Sequence, residues 1–133
     1  ARGMKPPETH KDLLERPVFA HMGTVTSDGA PLVNPMWFLW DPEAEEIKLT
    51  HITTRHNYRY MQREPRIALS IADPDNQYRY LQVRGVIDRI EDDPQGDFYN
   101  VLSNRYRGHP IEVKDKDVRV ILHVRPTAFK ART

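Results

Sequence analysis

Five β-rich stretches separated by short turns constrain the fold of this chain more than any other feature. They are VFAHMGTVTSDGAPLVNPMWFLWD (18–41), IKLTHIT (47–53), RIALSIAD (66–73), YRYLQVRGVIDRIED (78–92) and VRVILHVRPTAFKA (118–131). The first stretch holds two strands, because Asp28-Gly29 is a two-residue turn signal between β-rich arms. A helix expected at 55–64 is too short for a parallel crossover. The pattern therefore predicts a mainly β fold, a six-stranded antiparallel barrel with short peripheral helices.

The length of 133 residues suits one domain, and no linker divides the chain. We expect a single barrel domain over residues 1–133, with residues 1–8 as a flexible N-terminus. Two further helices are expected at 6–17 and 94–106. The second of these should place Phe98, Val101 and Leu102 on one side.

Composition argues against several classes of function. The formal net charge of +1 gives no electrostatic footprint for nucleic acid, and no stretch is long enough to span a membrane. The chain has no cysteine, which favours a cytoplasmic protein over a small disulfide-stabilised secreted one. Its six histidines are scattered without a metal-binding motif, and the sequence contains neither GxGxxG nor a P-loop.

A column of arginines follows the third predicted strand. Arg55, Arg59 and Arg63 would stack on one face of a helix, where like charges repel. Thr53 and Thr54 are suitable N-cap residues, so the helix start could bind an anion with its free N–H groups and with Arg55, Asn57 and Arg59. The alternative is a solvated basic face neutralised by acidic residues elsewhere.

Two strands carry unusual side chains. PLVNPMWFLW (31–40) is apolar on both faces, yet its two prolines imply a break in the ladder. Such a break would leave backbone groups free for a flat heterocycle, which Trp37 and Phe38 could cover; the alternative is a core strand at a barrel corner. On the fifth strand, Tyr78 and Tyr80 begin a polar-aromatic face that suits either a subunit interface, a pocket wall or solvent.

The run THITTRHNYRYMQREPRIALSIADPDNQYRYLQVRG (50–85) resembles the split β-barrel family of pyridoxamine 5′-phosphate oxidase. The deazaflavin branch, the F420-binding oxidoreductases of actinobacteria, is the most similar, and the opening ERPVFAHMGTVTSDGAPLVNPMWFLWD (15–41) fits the family's first hairpin. The resemblance covers roughly residues 9–130.

The resemblance implies a homodimer with two cofactor sites at the interface. The cofactor ring would lie along Pro35, Met36, Trp37 and Phe38 and along Ile52, Thr53 and Thr54. Its phosphate would be held by Arg55, Asn57 and Arg59. The partner subunit would contribute Asn76, Gln77 and Tyr78.

The implied activity is hydride transfer between reduced F420 and a small organic substrate. Relatives usually carry Lys at the position of Asn57 and often Asn at that of Tyr60. Since Asn57 brings no charge, FMN stays open as the alternative cofactor. A non-catalytic F420-binding or carrier protein is a further alternative. His51 and Tyr78 are conceivable proton donors, but no catalytic residue is assigned.

Overall fold

A computed structural model describes residues 3–133. Its seven strands are β1 (Ala20–Val25), β2 (Pro31–Met36), β3 (Leu39–Asp41), β4 (Glu46–Ile52), β5 (Arg66–Asp73), β6 (Asn76–Asp92) and β7 (Arg119–Arg132). Its helices are α1 (Asp12–Glu15), α2 (His56–Arg63) and α3 (Asp97–Arg107), with single 3-10 turns at Glu8–His10 and Lys116–Val118. The predicted flexible N-terminus begins with residues 1 and 2, which lie outside the described part; the flexibility of residues 3–8 stays a prediction.

The strands form one antiparallel sheet in the order β2-β1-β5-β6-β7-β4-β3. Its two end strands, β2 and β3, follow each other in the chain and are joined by Trp37 and Phe38 alone. Since the three Cα–Cα steps from Met36 to Leu39 span at most about 10 Å, the sheet must curl until its ends meet. The predicted antiparallel barrel is therefore confirmed, and the gap between β2 and β3 splits it.

The strand count was wrong by one, because the stretch 31–40 is not continuous. β2 pairs with β1, and β3 pairs with β4. The sequence had suggested that the backbone groups at the break would be free, but those of Phe38 are hydrogen-bonded. The Phe38 amide donates to the Tyr106 hydroxyl oxygen at 3.1 Å, and the Phe38 carbonyl accepts from Arg105 Nε at 3.2 Å. Side chains of α3 thus satisfy the ladder positions that the break opens.

The turn between β1 and β2 has three residues rather than two. Thr26 N–H donates to the Ala30 carbonyl and Gly29 N–H to the Thr26 carbonyl. Gly29 has a φ of 88°, a left-handed conformation that glycine adopts at no steric cost. This is a type I turn closed by a glycine bulge, the next commonest hairpin connection after the two-residue turns.

The barrel interior is a single apolar core. Met22, Leu49, Leu69, Leu81 and Leu122 are at most 1% exposed and come from five different strands. A smaller cluster of Phe98, Leu102 and Ile121 fixes α3 on the outside of the sheet. Val101 was expected in that cluster but is 47% exposed. No helix among residues 3–133 is long and apolar enough to cross a membrane.

Helix α3 begins at Asp97, three residues later than expected, with Gly96 as its N-cap. The carboxylate of buried Asp93 supplies the missing cap. It accepts from the Phe98 amide at 3.2 Å and from the Tyr99 amide at 3.1 Å. These bonds satisfy two amides that have no partner inside the helix, and they hold the Tyr99 end of α3 against the start of β7.

Candidate functional site

A cleft of about 270 Å³ opens between the β2–β3 connection, the end of β4 and helix α3. Its lining residues are Phe19, Pro35, Met36, Trp37, Thr50, His51, Ile52, Arg55, Tyr99, Arg107 and Arg119. Five of the predicted site residues are among them: Pro35, Met36, Trp37, Ile52 and Arg55. The structure therefore brings the predicted ring-binding strands and the first arginine together.

Other predicted residues lie at the margin of this cleft or away from it. Phe38 is fully buried and packs in the barrel core. Thr53 and Thr54 form an exposed turn between Ile52 and Arg55, and Arg59 is exposed on α2. Asn76, Gln77 and Tyr78 are exposed at the start of β6, with Tyr78 84% exposed, and do not line the cleft of their own chain. Their contribution across a subunit interface stays a prediction.

The expected threonine cap of α2 is wrong. The N-cap is Arg55, whose backbone is extended (φ −76°, ψ 144°) and which makes no side-chain capping bond. Thr53 N–H is already used by the Val118 carbonyl at 3.0 Å. Arg55 therefore precedes the helix instead of stacking on Arg59 and Arg63, which relieves part of the repulsion expected from the sequence.

The wall of the cleft opposite β4 is aromatic. The Trp37 ring stacks on Tyr106 with centroids 5.0 Å apart and an interplanar angle of 7°. Burial raises the pKa of the Tyr106 phenol, so its O–H stays protonated and donates to the Val18 carbonyl at 2.7 Å. Trp37 is thus fixed by a neighbour that is itself hydrogen-bonded to the backbone.

Three arginines and no carboxylate line the cleft. Arg119 is neutralised from behind by Asp115, which accepts from its Nε at 2.9 Å and its Nη2 at 2.8 Å. The bonds from Arg119 hold the pKa of Asp115 below its ordinary value. Among residues 3–133, Arg55 and Arg107 form no ion pair, so the cleft carries uncompensated positive charge.

His51 is among the residues that line the cleft, and its imidazole is directed towards α2. On β4 the buried positions Ile47, Leu49 and His51 alternate with the partly exposed Thr50 and Ile52. The imidazole lies under α2, where Nε2–H donates to Asn57 Oδ1 at 2.9 Å. Asn57 therefore has a structural contact that the sequence did not reveal.

Burial lowers the pKa of His51 below its ordinary value of 6.5, and the charges of Arg55 and Arg119 add to this effect, while the bond to Asn57 opposes it. His51 is therefore neutral at pH 7.

The pKa of His51 predicts how stability depends on pH. Because the unfolded chain binds the proton more tightly, the free energy of unfolding should fall as pH falls below about 6.5. His51→Gln should reduce this loss between pH 7 and pH 5 in urea unfolding. His21→Gln is the control, since His21 is exposed on β1. Equal pH profiles for both variants would contradict the assignment.

Sequence reasoning missed the cleft residues from α3 and β7, namely Tyr99, Arg107 and Arg119. A signal was present, because Tyr99, Ser103 and Arg107 recur at helical spacing on the side of α3 that does not enter its apolar cluster. Arg119 reaches the cleft from the start of β7, and its Nη1 donates to Thr50 Oγ1 at 3.3 Å.

A larger, shallow groove of about 660 Å³ lies on the β2-β1-β5-β6-β7 part of the sheet. It is mostly apolar and includes Leu32 and Val33 of the end strand β2. None of the predicted site residues lines it. Within residues 3–133, no group of three or more histidine or acidic side chains is placed to hold a metal ion.

The family model of pyridoxamine 5′-phosphate oxidase matches residues 6–132. The chain belongs to this family. A solved F420 reductase is 49% identical, with a TM-score of 0.87, over 93% of this chain and 98% of that one. The resemblance inferred from residues 50–85 is confirmed, and the barrel is the split barrel of the pyridoxamine 5′-phosphate oxidase family.

Two solved structures of lower identity share the fold alone. A hypothetical protein of Mycobacterium tuberculosis is 19% identical, with a TM-score of 0.75, over 99% of this chain and 87% of that one. The general stress protein 26 of Bacillus anthracis is 15% identical, with a TM-score of 0.70, over 94% of this chain and 92% of that one. No curated protein matches the chain.

Proposed function

We propose that this protein is an F420-dependent oxidoreductase that transfers hydride between reduced F420 and a small organic substrate. The observation that carries the proposal is the placement of Arg55, a cation without an ion-pair partner among residues 3–133, beside a flat aromatic cleft. A phosphate-bearing cofactor with a planar ring fits both features. The 49% identity to a solved F420 reductase favours F420 over other cofactors of this kind.

The residues of this chain would bind and orient the cofactor. Arg55 would hold its phosphate, with Arg59 and Asn57 nearby on α2. Pro35 to Trp37 and Ile52 would contact its ring. When bound, reduced F420 supplies the hydride, and the protein supplies geometry and a partly dry pocket. We assign no proton transfer to His51, because its imidazole is engaged by Asn57 of α2.

FMN is the second candidate cofactor. It shares a phosphate and a planar ring, and Asn57 brings no charge toward a longer anionic ligand. A carrier role without turnover is the third possibility, and it is consistent with a cleft in which no titratable side chain is assigned to catalysis.

Turnover separates these alternatives. Reduced F420 should be oxidised in the presence of the protein and an organic acceptor, which is measured by the return of the visible absorbance of F420. The acceptors would cover quinones, conjugated enones and aromatic acids. Tight F420 binding without oxidation by any of them would favour a carrier, and oxidation that requires FMN would favour the flavin alternative.

We further propose a homodimer in which a second copy covers the larger groove. Two observations support this arrangement. β2 is an end strand whose outer edge is unpaired in the sheet order, and Leu32 and Val33 on it are 36% and 67% exposed. An apolar edge strand that stays uncovered is an aggregation risk. The partner would then bring Asn76, Gln77 and Tyr78 to the cofactor.

Val33→Asp should convert the dimer to a monomer at micromolar concentration and also weaken F420 binding, because it would place a charge in the apolar interface. Sedimentation velocity measures the first effect and a binding titration the second. Val101→Asp is the matched control, since Val101 is also an exposed valine but lies on α3. A wild-type protein that sediments as a monomer would contradict the shared-site arrangement.

A further inference from the structure

The strongest unassigned feature of the cleft is the guanidinium of Arg107. It lies 4.6 Å from the centroid of the Trp37 ring and 5.7 Å from that of Tyr99. Arg107 Nη1 donates to Ser103 Oγ at 3.2 Å. The group is therefore held in place by two aromatic rings and a hydroxyl, although the residue is exposed.

A guanidinium stacked on a ring keeps its in-plane N–H donors available. Arginine has five such donors in a rigid fork that matches a carboxylate, and the bond to Ser103 uses one of them. Because Trp37 and Tyr99 already restrict its rotamers, Arg107 loses little freedom when it binds an anion.

The other two arginines of the cleft are less available to bind a second anion. Three of the five donors of Arg119 are used by Asp115 and Thr50, and the Asp115 carboxylate offsets its charge. Arg55 lies at the start of α2, where the proposed function assigns it to the cofactor phosphate. Arg107 lines the same cleft from the last turn of α3 and is left as a second cation without an ion-pair partner among residues 3–133. A helix C-terminus alone would explain an arginine there, but it would not require the stack on Trp37.

We propose that Arg107 is a specificity-determining residue that binds the carboxylate of a planar organic acid, the substrate of the hydride transfer. The aromatic part of that substrate packs beside Trp37, and its carboxylate is bound edge-on by Arg107. This inference rests on the proposed function, because only a hydride transfer would make the bound acid a substrate. The carboxylate site itself can be tested without the cofactor.

The test compares 2-naphthoate with its neutral isostere 2-naphthamide by isothermal titration calorimetry, on protein with and without F420. The wild-type protein should bind the acid about tenfold more tightly than the amide, as one charge-assisted pair allows. Arg107→Gln should bring this ratio close to one, Arg107→Lys should retain part of it, and Arg55→Gln should leave it unchanged. F420 affinity should stay within about twofold in Arg107→Gln.

Three results would overturn the proposal: a ratio near one in the wild-type protein, a ratio unchanged in Arg107→Gln, or a loss of F420 affinity in Arg107→Gln as large as that in Arg55→Gln. The last would mean that Arg107 serves the cofactor. Failure of the proposed function looks different, because the wild-type protein would not bind F420 at all. The ratio measured without cofactor would still decide the carboxylate site.

Discussion

Arg105→Met is expected to lower the free energy of unfolding by about 3–4 kcal/mol, the largest effect on stability of any exchange considered for this chain. Arg105 donates from α3 to the carbonyls of Phe38 at 3.2 Å, Glu15 at 3.1 Å and Arg16 at 2.8 Å, with a longer contact of 3.5 Å to Leu14. Bonds from a charged donor contribute about 1.5–3 kcal/mol each, and partial rehydration of the exposed carbonyls reduces the sum.

The effect should be large because Arg105 joins three separate parts of the chain. It ties α3 to the end of α1 and to the break between β2 and β3, where its guanidinium also lies 5.6 Å from the centroid of the Phe38 ring. Urea unfolding would measure the loss. Arg63→Met is the matched control, since Arg63 is exposed on α2. Equal unfolding free energies for the two variants would show that this network does not stabilise the fold.

Arg55→Gln is expected to weaken F420 binding by about 10- to 100-fold, the largest effect on the proposed function. The reason is that Arg55 borders the cleft, forms no ion pair within residues 3–133 and is held at the start of α2 by an extended backbone. Gln is shorter but keeps a polar, hydrogen-bonding end, and it removes the charge. The dissociation constant from a fluorescence titration with F420 measures the change.

The matched control is Arg63→Gln, which removes the same charge from the other end of α2. Arg59→Gln is expected to have an effect between the two, because Arg59 is exposed on the helix and does not line the cleft. Equal losses of F420 affinity in Arg55→Gln and Arg63→Gln would mean that the net charge of the protein, and not a specific contact, causes the effect. An unchanged F420 affinity in Arg55→Gln would show that Arg55 does not bind the cofactor. Salt should weaken the wild-type affinity more than that of Arg55→Gln.

The strands were predictable because their signals are local. Alternation along residues 78–84 separates exposed Tyr78 and Arg84 from buried Leu81 and Val83, as the structure has them. The register shift at Gly85 was also visible as a glycine within a strand. A side chain there would meet Val124 Cγ1 at 2.8 Å, so the close approach of β7 requires glycine.

The break in the stretch 31–40 could not be located from the same kind of signal. What fixes it at Trp37 and Phe38 is a pair of side chains on α3, Arg105 and Tyr106, which follow Phe38 by 67 and 68 residues. The threonine cap failed for a similar reason: the bond from the Thr53 N–H to the Val118 carbonyl continues the β4–β7 pairing past Ile52, and the helix begins only at His56, with Arg55 as its N-cap. Tertiary partners override local preference in both places.

The candidate site, too, was predictable from the sequence only in part. Trp37 and Arg55 were singled out from the residues themselves, Pro35 and Ile52 only through the family resemblance, and all four meet in one cleft. Arg107 and its partners come from an element far along the chain, and helical spacing alone does not say which side of α3 meets the sheet. The structural role of Asn57 could not be predicted either. Asn57 lies on α2 and bonds to His51 on β4, and sequence periodicity does not connect the two residues.

The measurement that tests the central claim most directly is a fluorescence titration of the purified protein with F420 and, separately, with FMN. We predict saturable F420 binding at micromolar concentration, at least about tenfold tighter than FMN binding. Tighter binding of FMN would keep the phosphate site and the split barrel but move the chemistry to flavin. Binding of neither cofactor, by a folded protein, would contradict the proposed function.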